Sequence, residues 1–330
     1  MLKAGKKRVL VTGGAGFLGS HLIDRLLERG DCVICLDNLY TGSEENLRHH
    51  SSNPDFQFKL HDVIDPVELE VDQIYNLACP ASPVQYQRNP IRTLKTSVFG
   101  AMNVLDLAKE LDIRILQAST SEIYGDPHIH PQTEAYWGNV NPIGTRSCYD
   151  EGKRCAETLF FDYQRQHGTD IRVVRIFNTY GPRQSARAVI PSIIIQLAKG
   201  NEISIGGLTP TRDFNFVSDI TRGFIAGMES KKALGEVINL GSNYEISIQD
   251  TATLIAELMN KKLKIIQSEE RFRPKNSEVE RLFSCNKKAK TLLEWEPEYQ
   301  GIEGFKKGLI ETIKWFSIEE NLKLYKSNIY

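Results

Sequence analysis

Residues 9–22 read VLVTGGAGFLGSHL, an apolar and mostly β-branched run joined through glycines to a segment with helical apolar spacing. Val9–Thr12 reads as the end of a buried strand, and the apolar residues after Gly16 recur on one face of a helix. Between them Gly13 permits a tight turn, Gly16 lets an anionic group approach the backbone, and Gly19 lets helix and strand pack closely. The amides of the first helical turn, Phe17 and Leu18 included, are free to donate, and the helix dipole there favours negative charge. A glycine triplet alone is weak evidence, so its surroundings decide. The next apolar run, CVICLD (32–37), closes on Asp37, where a carboxylate accepts hydrogen bonds from a ribose. Strand, glycine turn, helix and acidic strand end together predict a dinucleotide-binding Rossmann unit.

A carboxylate at Asp37 repels a 2′-phosphate, and no arginine or lysine follows it before Arg48, so NAD is expected rather than NADP. The expected walls of the cofactor site are Asn38 beside it, Asp62 and Val63 after the third strand, and Leu77 and Ala78 after the fourth. Asp62 is placed to meet the adenine amino group.

Further apolar runs continue the rhythm at 56–62, 73–78, 113–119 and 171–177, with amphipathic segments near 16–30, 90–111 and 148–168. Strands that are apolar almost throughout, separated by helices, predict an α/β fold: a doubly wound parallel sheet covered on both faces. After Gly181-Pro182 the pattern changes. Helical segments near 187–200, 218–230, 247–260 and 302–317 alternate with short strands at 202–205, 236–240 and 262–267. The expected division is an NAD-binding domain over 1–180 and a smaller mixed α/β substrate-binding lobe over 181–330. Segments near 213–245 are expected to return to the first sheet.

Arginine plus lysine total 41 against 42 acidic residues, a balance that argues against a nucleic-acid binder. The basic MLKAGKKR is followed at once by a strand, with no apolar stretch of signal or membrane-spanning length, so a cytoplasmic protein is expected. Six cysteines in 330 residues make no disulfide framework. Cys32 and Cys35 resemble a metal pair by spacing, but they sit on a strand and read as small buried hydrophobes. His61, His128 and His130 read as loop polar groups, and no cluster has metal-ligand spacing.

The segment SCYDEGKR (147–154) places Tyr149 and Lys153 one helical turn apart on one face. A nearby ammonium favours phenolate, so the pair reads as a tuned base. With this segment, TGGAGFLG (12–19), STSEIYGDP (119–127), YDEGK (149–153) and RIFNTYGPR (175–183) resemble the extended short-chain dehydrogenase/reductases acting on nucleotide sugars. Three stretches, YNLACPASPVQYQRNP (75–90), TEAYWGNVNPIG (133–144) and RSCYDEGKR (146–154), are similar to the decarboxylases of UDP-glucuronate within that family. The second lobe, including RFRPKNSEVERLF (271–283), looks more like sugar-nucleotide 4,6-dehydratases.

The resemblance implies that Tyr149 takes the proton of a sugar 4-OH, Lys153 bonds the nicotinamide ribose, and Thr120 bonds the reacting oxygen. It assigns Ser121 and Glu122 to the later steps. Many 4,6-dehydratases carry aspartate where this chain has Ser121, which tilts the expectation toward loss of carbon dioxide from a UDP-glucuronate. The alternative is a UDP-N-acetylhexosamine dehydratase or 5-epimerase of a nonulosonate pathway; a non-catalytic NAD sensor is a remote third reading. Pro80 and Ser82 of the CPASP loop (79–83) and Tyr86 just after it, with Asn178, Arg183, Arg187, Arg212, Arg273 and Arg281, are the implied substrate contacts. Ser97 stands where many relatives place asparagine. The resemblance further implies a homodimer through a four-helix bundle made by the helices near 90–111 and 148–168.

Overall fold

The computed structural model describes residues 6–268 and 279–323. In the first half the strands are β1 (Arg8–Thr12), β2 (Cys32–Asp37), β3 (Phe56–Leu60), β4 (Gln73–Asn76), β5 (Arg114–Thr120) and β6 (Ile171–Ile176). In the second half they are β7 (Thr179–Tyr180), β8 (Glu202–Ile205), β9 (Thr211–Asp213), β10 (Asn215–Phe216), β11 (Val237–Leu240), β12 (Glu245–Ser247), β13 (Lys264–Gln267) and β14 (Arg281–Leu282). The helices of the first half are α1 (Phe17–Glu28), α2 (Pro83–Arg88), α3 (Pro90–Leu111) and α4 (Ser147–His167). Those of the second half are α5 (Val189–Lys199), α6 (Val217–Glu229), α7 (Ile248–Leu258), α8 (Lys287–Leu293), α9 (Gly301–Phe316) and α10 (Glu319–Lys323).

Seven strands form one all-parallel sheet in the order β11-β6-β5-β4-β1-β2-β3. The expected doubly wound α/β sheet is therefore present, and its order reverses between β1 and β4. That crevice, at the carboxyl ends of the strands, is where ligands bind in open α/β sheets.

The two faces follow from the strand period of two. Val9 and Val11 of β1 point into a core shared with Leu22, Ile23 and Leu26 of α1 and Ile220, Phe224 and Met228 of α6. Leu10 points the other way, into a core with Val104, Leu105 and Ala108 of α3 and Phe160 of α4. Truncating a side chain as buried as Leu10 to alanine costs about 2–5 kcal/mol.

A third core belongs to the second half: Ile190, Ile193 and Ile194 of α5 pack with Ile255 of α7 and Phe305 and Leu309 of α9. Here β12, β9 and β14 make a small sheet, β13 pairs with β8, and β10 pairs with β7. Meanwhile β11 joins the large sheet beside β6, and α6 packs against α1 beneath it. The strands of two or three residues escape the apolar rhythm because so short a run has no measurable period.

Candidate active site

The glycines of the first turn differ in what surrounds them. Gly13 has φ +67, and a Cβ there would lie 2.9 Å from the Ala78 backbone; one on Gly19 would lie 2.3 Å from the Gly13 carbonyl oxygen. Both are demanded by the protein's own packing. A Cβ on Gly16 would meet only that carbonyl, at 3.1 Å. Gly16 is also the N-cap of α1 and has no side chain to cover the free amides of Phe17, Leu18 and Gly19. This open cradle at a helix N-terminus fits the diphosphate of a dinucleotide. Gly16→Val is expected to keep its melting temperature within a few degrees yet bind NAD at least about tenfold more weakly, as measured by calorimetric titration.

Asp37 ends β2 with Oδ2 accepting from the Ala15 amide at 3.0 Å and Oδ1 from Leu39 at 2.8 Å. Burial pushes its carboxyl upward, against the opposing pull of the Leu39, Ala15 and Asn38 amides. Each oxygen keeps a lone pair for a further donor. A pocket opens beside it, lined by Asn38, His61, Val63, Ala78, Pro80 and Arg92. Asp62 is engaged by Arg92 and, at 3.1 Å, by the Asn38 side-chain amide. Arg92 also lies over the Tyr40 ring, 5.3 Å from its centroid. Sequence reasoning passed over Arg92, although its place in the first turn of α3, after Asn89-Pro90, is legible as a helix start.

At the end of β5 the fold assembles the expected catalytic set. Tyr149 and Lys153 are both buried on α4, and the Tyr149 phenol is hydrogen-bonded to Thr120. Its ring stacks on Tyr86 of α2 at 5.1 Å and 10°. Burial drives the phenol well above its ordinary range and the nearby Cys79 thiol adds to this, while Thr120 pulls it back. The Lys153 ammonium donates to the Ala118 carbonyl at 2.9 Å, so it ties α4 to β5 instead of bonding the phenol.

Burial also depresses Lys153, with Cys79 and Glu157 partly offsetting it. The unfolded chain thus holds the lysine proton more tightly. The resulting penalty on folding is complete below the folded-state value and fades as pH rises toward 10.5. Lys153→Met is expected to raise the melting temperature near neutral pH, with the gain shrinking in alkaline buffer, while turnover is lost. Scanning calorimetry across pH reads the first effect.

Glu122 follows Ser121 on a 3₁₀ turn (121–124) capped by the Thr120 hydroxyl, which accepts from the Glu122 amide at 3.2 Å. Its carboxylate is paired with Arg146, the buried residue that precedes α4, and Asp150 lies 3.7 Å from the same guanidinium. Arg146 was not singled out from sequence, though it stands one turn before Tyr149. Behind the site, Glu157 accepts from Arg175 at 2.7 and 3.0 Å and from Ser119 at 2.5 Å. Arg175 in turn donates to Tyr124 at 3.0 Å. Ser97 faces Cys79, 3.3 Å between Oγ and Sγ, and a Cβ on Gly152 would lie 3.1 Å from it, so a small residue suits this crossing of α3 and α4.

The expected substrate contacts divide. Ser82 Oγ and Asn178 Oδ1 are buried with no hydrogen-bond partner among the described residues, as a ligand-facing polar atom would be. Arg187 reaches from the second half to α2, where the Gln85 amide, turned so that its oxygen faces the guanidinium, accepts from both terminal nitrogens at 2.9 Å. Arg212 and Arg281 lie on neighbouring parallel strands, but Leu282 is the residue level with Arg212. Strand alternation therefore sends the two arginines to opposite faces. Arg212 is buried, whereas Arg281 is held by Glu245. Arg183 is turned toward α1, where it donates to Asp24 at 2.6 Å. Arg273 lies outside the described residues. Cys35 is buried with its thiol pushed up by burial, and Cys32 donates to Asp55 at 3.3 Å.

The model of the GDP-mannose 4,6-dehydratase family matches residues 10–308. UDP-glucuronic acid decarboxylase 4 of Arabidopsis thaliana is 49% identical over 301 residues, 90% of this chain and 66% of that protein, so the chain spans just under two thirds of its length. UDP-glucuronic acid decarboxylase 3 of the same plant is 48% identical over 304 residues, 90% of this chain and 86% of the relative. Among solved structures, dTDP-glucose 4,6-dehydratase of Bacillus anthracis in complex with NAD superposes with a TM-score of 0.82 at 26% identity, covering 97% of this chain and 98% of that one. The glycine cradle, the buried tyrosine and lysine, and a family match running through both halves agree: the chain belongs to the GDP-mannose 4,6-dehydratase family of extended short-chain dehydrogenase/reductases.

Proposed function

We propose that the chain converts UDP-glucuronate to UDP-xylose through a bound 4-keto sugar, with NAD held across the crevice between β1 and β4. The observation that carries this reading is the buried Thr120–Tyr149–Lys153 set beside an ion-paired Glu122 and a buried Ser121. The identity of 48–49% to UDP-glucuronic acid decarboxylases supports it.

NAD, which the Gly16 cradle and Asp37 would hold, would supply reversible hydride transfer at C4. Tyr149 takes the 4-OH proton as the ketone forms, and Thr120 holds the same oxygen by hydrogen bonding. A C6 carboxylate is then β to the ketone. Carbon dioxide leaves, the bond electrons pass to the enolate, and the Tyr149 and Thr120 hydroxyls stabilise the charge on O4. Protonation at C5 and re-reduction at C4, with Tyr149 returning its proton, complete a pentose. Ser121 is a poor acid for expelling hydroxide, so loss of water from C6 is less well served than loss of carbon dioxide.

In this reading Phe17, Leu18 and Gly19 donate to the cofactor diphosphate, and Asp37 accepts from its ribose. Asn178, together with Arg187 and Arg212 of the lobe that begins at 181, faces the sugar nucleotide. Purified protein supplied separately with UDP-glucuronate and UDP-N-acetylglucosamine should release carbon dioxide from the first only. Inertness toward the glucuronate, with a keto product from the hexosamine, would move the chain to the dehydratase alternative.

The same reading takes the protein as a cytoplasmic homodimer. Ile91, Leu94, Phe99 and Met102 form an exposed apolar stripe on α3, which packs along α4, and they suit a four-helix bundle with a second copy. Phe99→Glu is expected to halve the mass seen by light scattering after gel filtration. Its cysteines are free and, among the described residues, no helix is long and apolar enough to cross a membrane.

A further inference from the structure

The 3₁₀ turn EENLRHH (44–50) packs beside α1, and three groups with no part in the chemistry above converge there. His49 Nε2 lies 2.8 Å and His50 Nε2 2.7 Å from one oxygen, Asp24 Oδ1. All three candidate ligand atoms lie within 4.8 Å of one another. The second carboxylate oxygen, Oδ2, accepts from Arg183 at 2.6 Å, which fixes the Asp24 side chain with Oδ1 toward the imidazoles.

We propose that Asp24, His49 and His50 form a surface site for a borderline divalent transition cation of the zinc type. Imidazole nitrogen and carboxylate oxygen are the usual donors for such an ion, at about 2.0–2.2 Å, so adjacent donors on one ion stand roughly 2.8–3.5 Å apart. The His49 separation of 2.8 Å lies at the short edge of that range and the His50 separation of 2.7 Å just below it. A small outward swing of His49, whose side chain is 48% exposed, admits the ion and gives it a path from solvent. Solvent water completes the coordination.

The electrostatics are compatible with a bound cation. Burial opposes ionisation of Asp24, but the Arg183 charge and hydrogen bond, with the hydrogen bonds of His50 and His49, outweigh it and keep the carboxyl below its ordinary value. Two imidazole nitrogens and a carboxylate oxygen are a donor set that such an ion takes. Arg183 opposes the ion from the far oxygen while orienting the near one, as a hydrogen-bond partner behind a metal ligand does. The His49 and His50 rings stand 4.0 Å apart between centroids, so both can turn a nitrogen to one point. An ion there clamps α1 to the 44–50 turn and, through Arg183, to the Gly181-Pro182 turn that opens the second half.

The test uses tag-free, full-length protein stripped with chelator and titrated with Co²⁺, read by visible absorption, with Zn²⁺ as competitor. The wild type should take up one equivalent saturably, and Zn²⁺ should raise its melting temperature. His49→Ala and His50→Ala should each bind at least tenfold more weakly, and the double variant should show neither uptake nor the thermal shift. Absence of saturable uptake by the wild type overturns the proposal. Undiminished uptake by the double variant also overturns it, since a cysteine would then be the ligand. Should the double variant fail to fold, His49→Gln at the exposed position must still bind at least tenfold more weakly.

Discussion

Tyr149→Phe is expected to lower turnover of UDP-glucuronate by about 10²–10⁴-fold, the usual contribution of a positioned general base. Phenylalanine keeps the ring volume and the 5.1 Å stack on Tyr86, so α4 and α2 should still meet as they do now. What disappears is the phenol and its hydrogen bond to Thr120. Loss of one such bond costs roughly 0.5–1.5 kcal/mol, so the fold survives. The diphosphate cradle at Gly16 and the carboxylate at Asp37 lie on other elements, so NAD affinity should be almost unchanged. Single-turnover assays with calorimetric NAD titration separate the effects. Retention of more than about a tenth of wild-type turnover would require another base and would sink the proposed role of Tyr149.

Arg146→Ala is expected to be the most damaging single substitution away from the core. Arg146 is 8% exposed and sits between Glu122 and Asp150, so its removal leaves two carboxylates close together without their cation. Breaking a buried pair by deleting one partner costs about 3–5 kcal/mol, which in a chain of this size lowers the melting temperature by roughly 5–10 °C. The double variant Arg146→Met/Glu122→Gln removes the charge conflict at Glu122 and should recover much of the stability while remaining poorly active. Recovery of both stability and turnover would show the pair to be structural only.

The fold was legible because its signals are local. Each strand of the large sheet announces itself as an apolar run, and α1, α3 and α4 follow from spacing, helped in α1 and α3 by the glycine and the proline at their starts. Asp37 could be found because its separation from the glycines is set by the length of one strand–helix–strand unit. The Tyr149–Lys153 pair was visible for a similar reason, since four residues of helix always bring two side chains to one face.

Other features needed the chain folded. Arg183 reads like a substrate contact, yet its guanidinium meets Asp24, and nothing near either residue foretells the other. Arg212 and Arg281 look equivalent in sequence until the β9–β14 register sends them to opposite faces. Arg92 on Asp62 and Arg146 on Glu122 are likewise matches between residues 30 and 24 positions apart. The sequence by itself determined the parallel sheet, the glycine turn and the pairing of Tyr149 with Lys153 on one helix face, because each depends on chain geometry over one or two elements. Only the tertiary structure decided which charges are paired and which buried polar atoms find no partner among the described residues, because those depend on how separate elements cross.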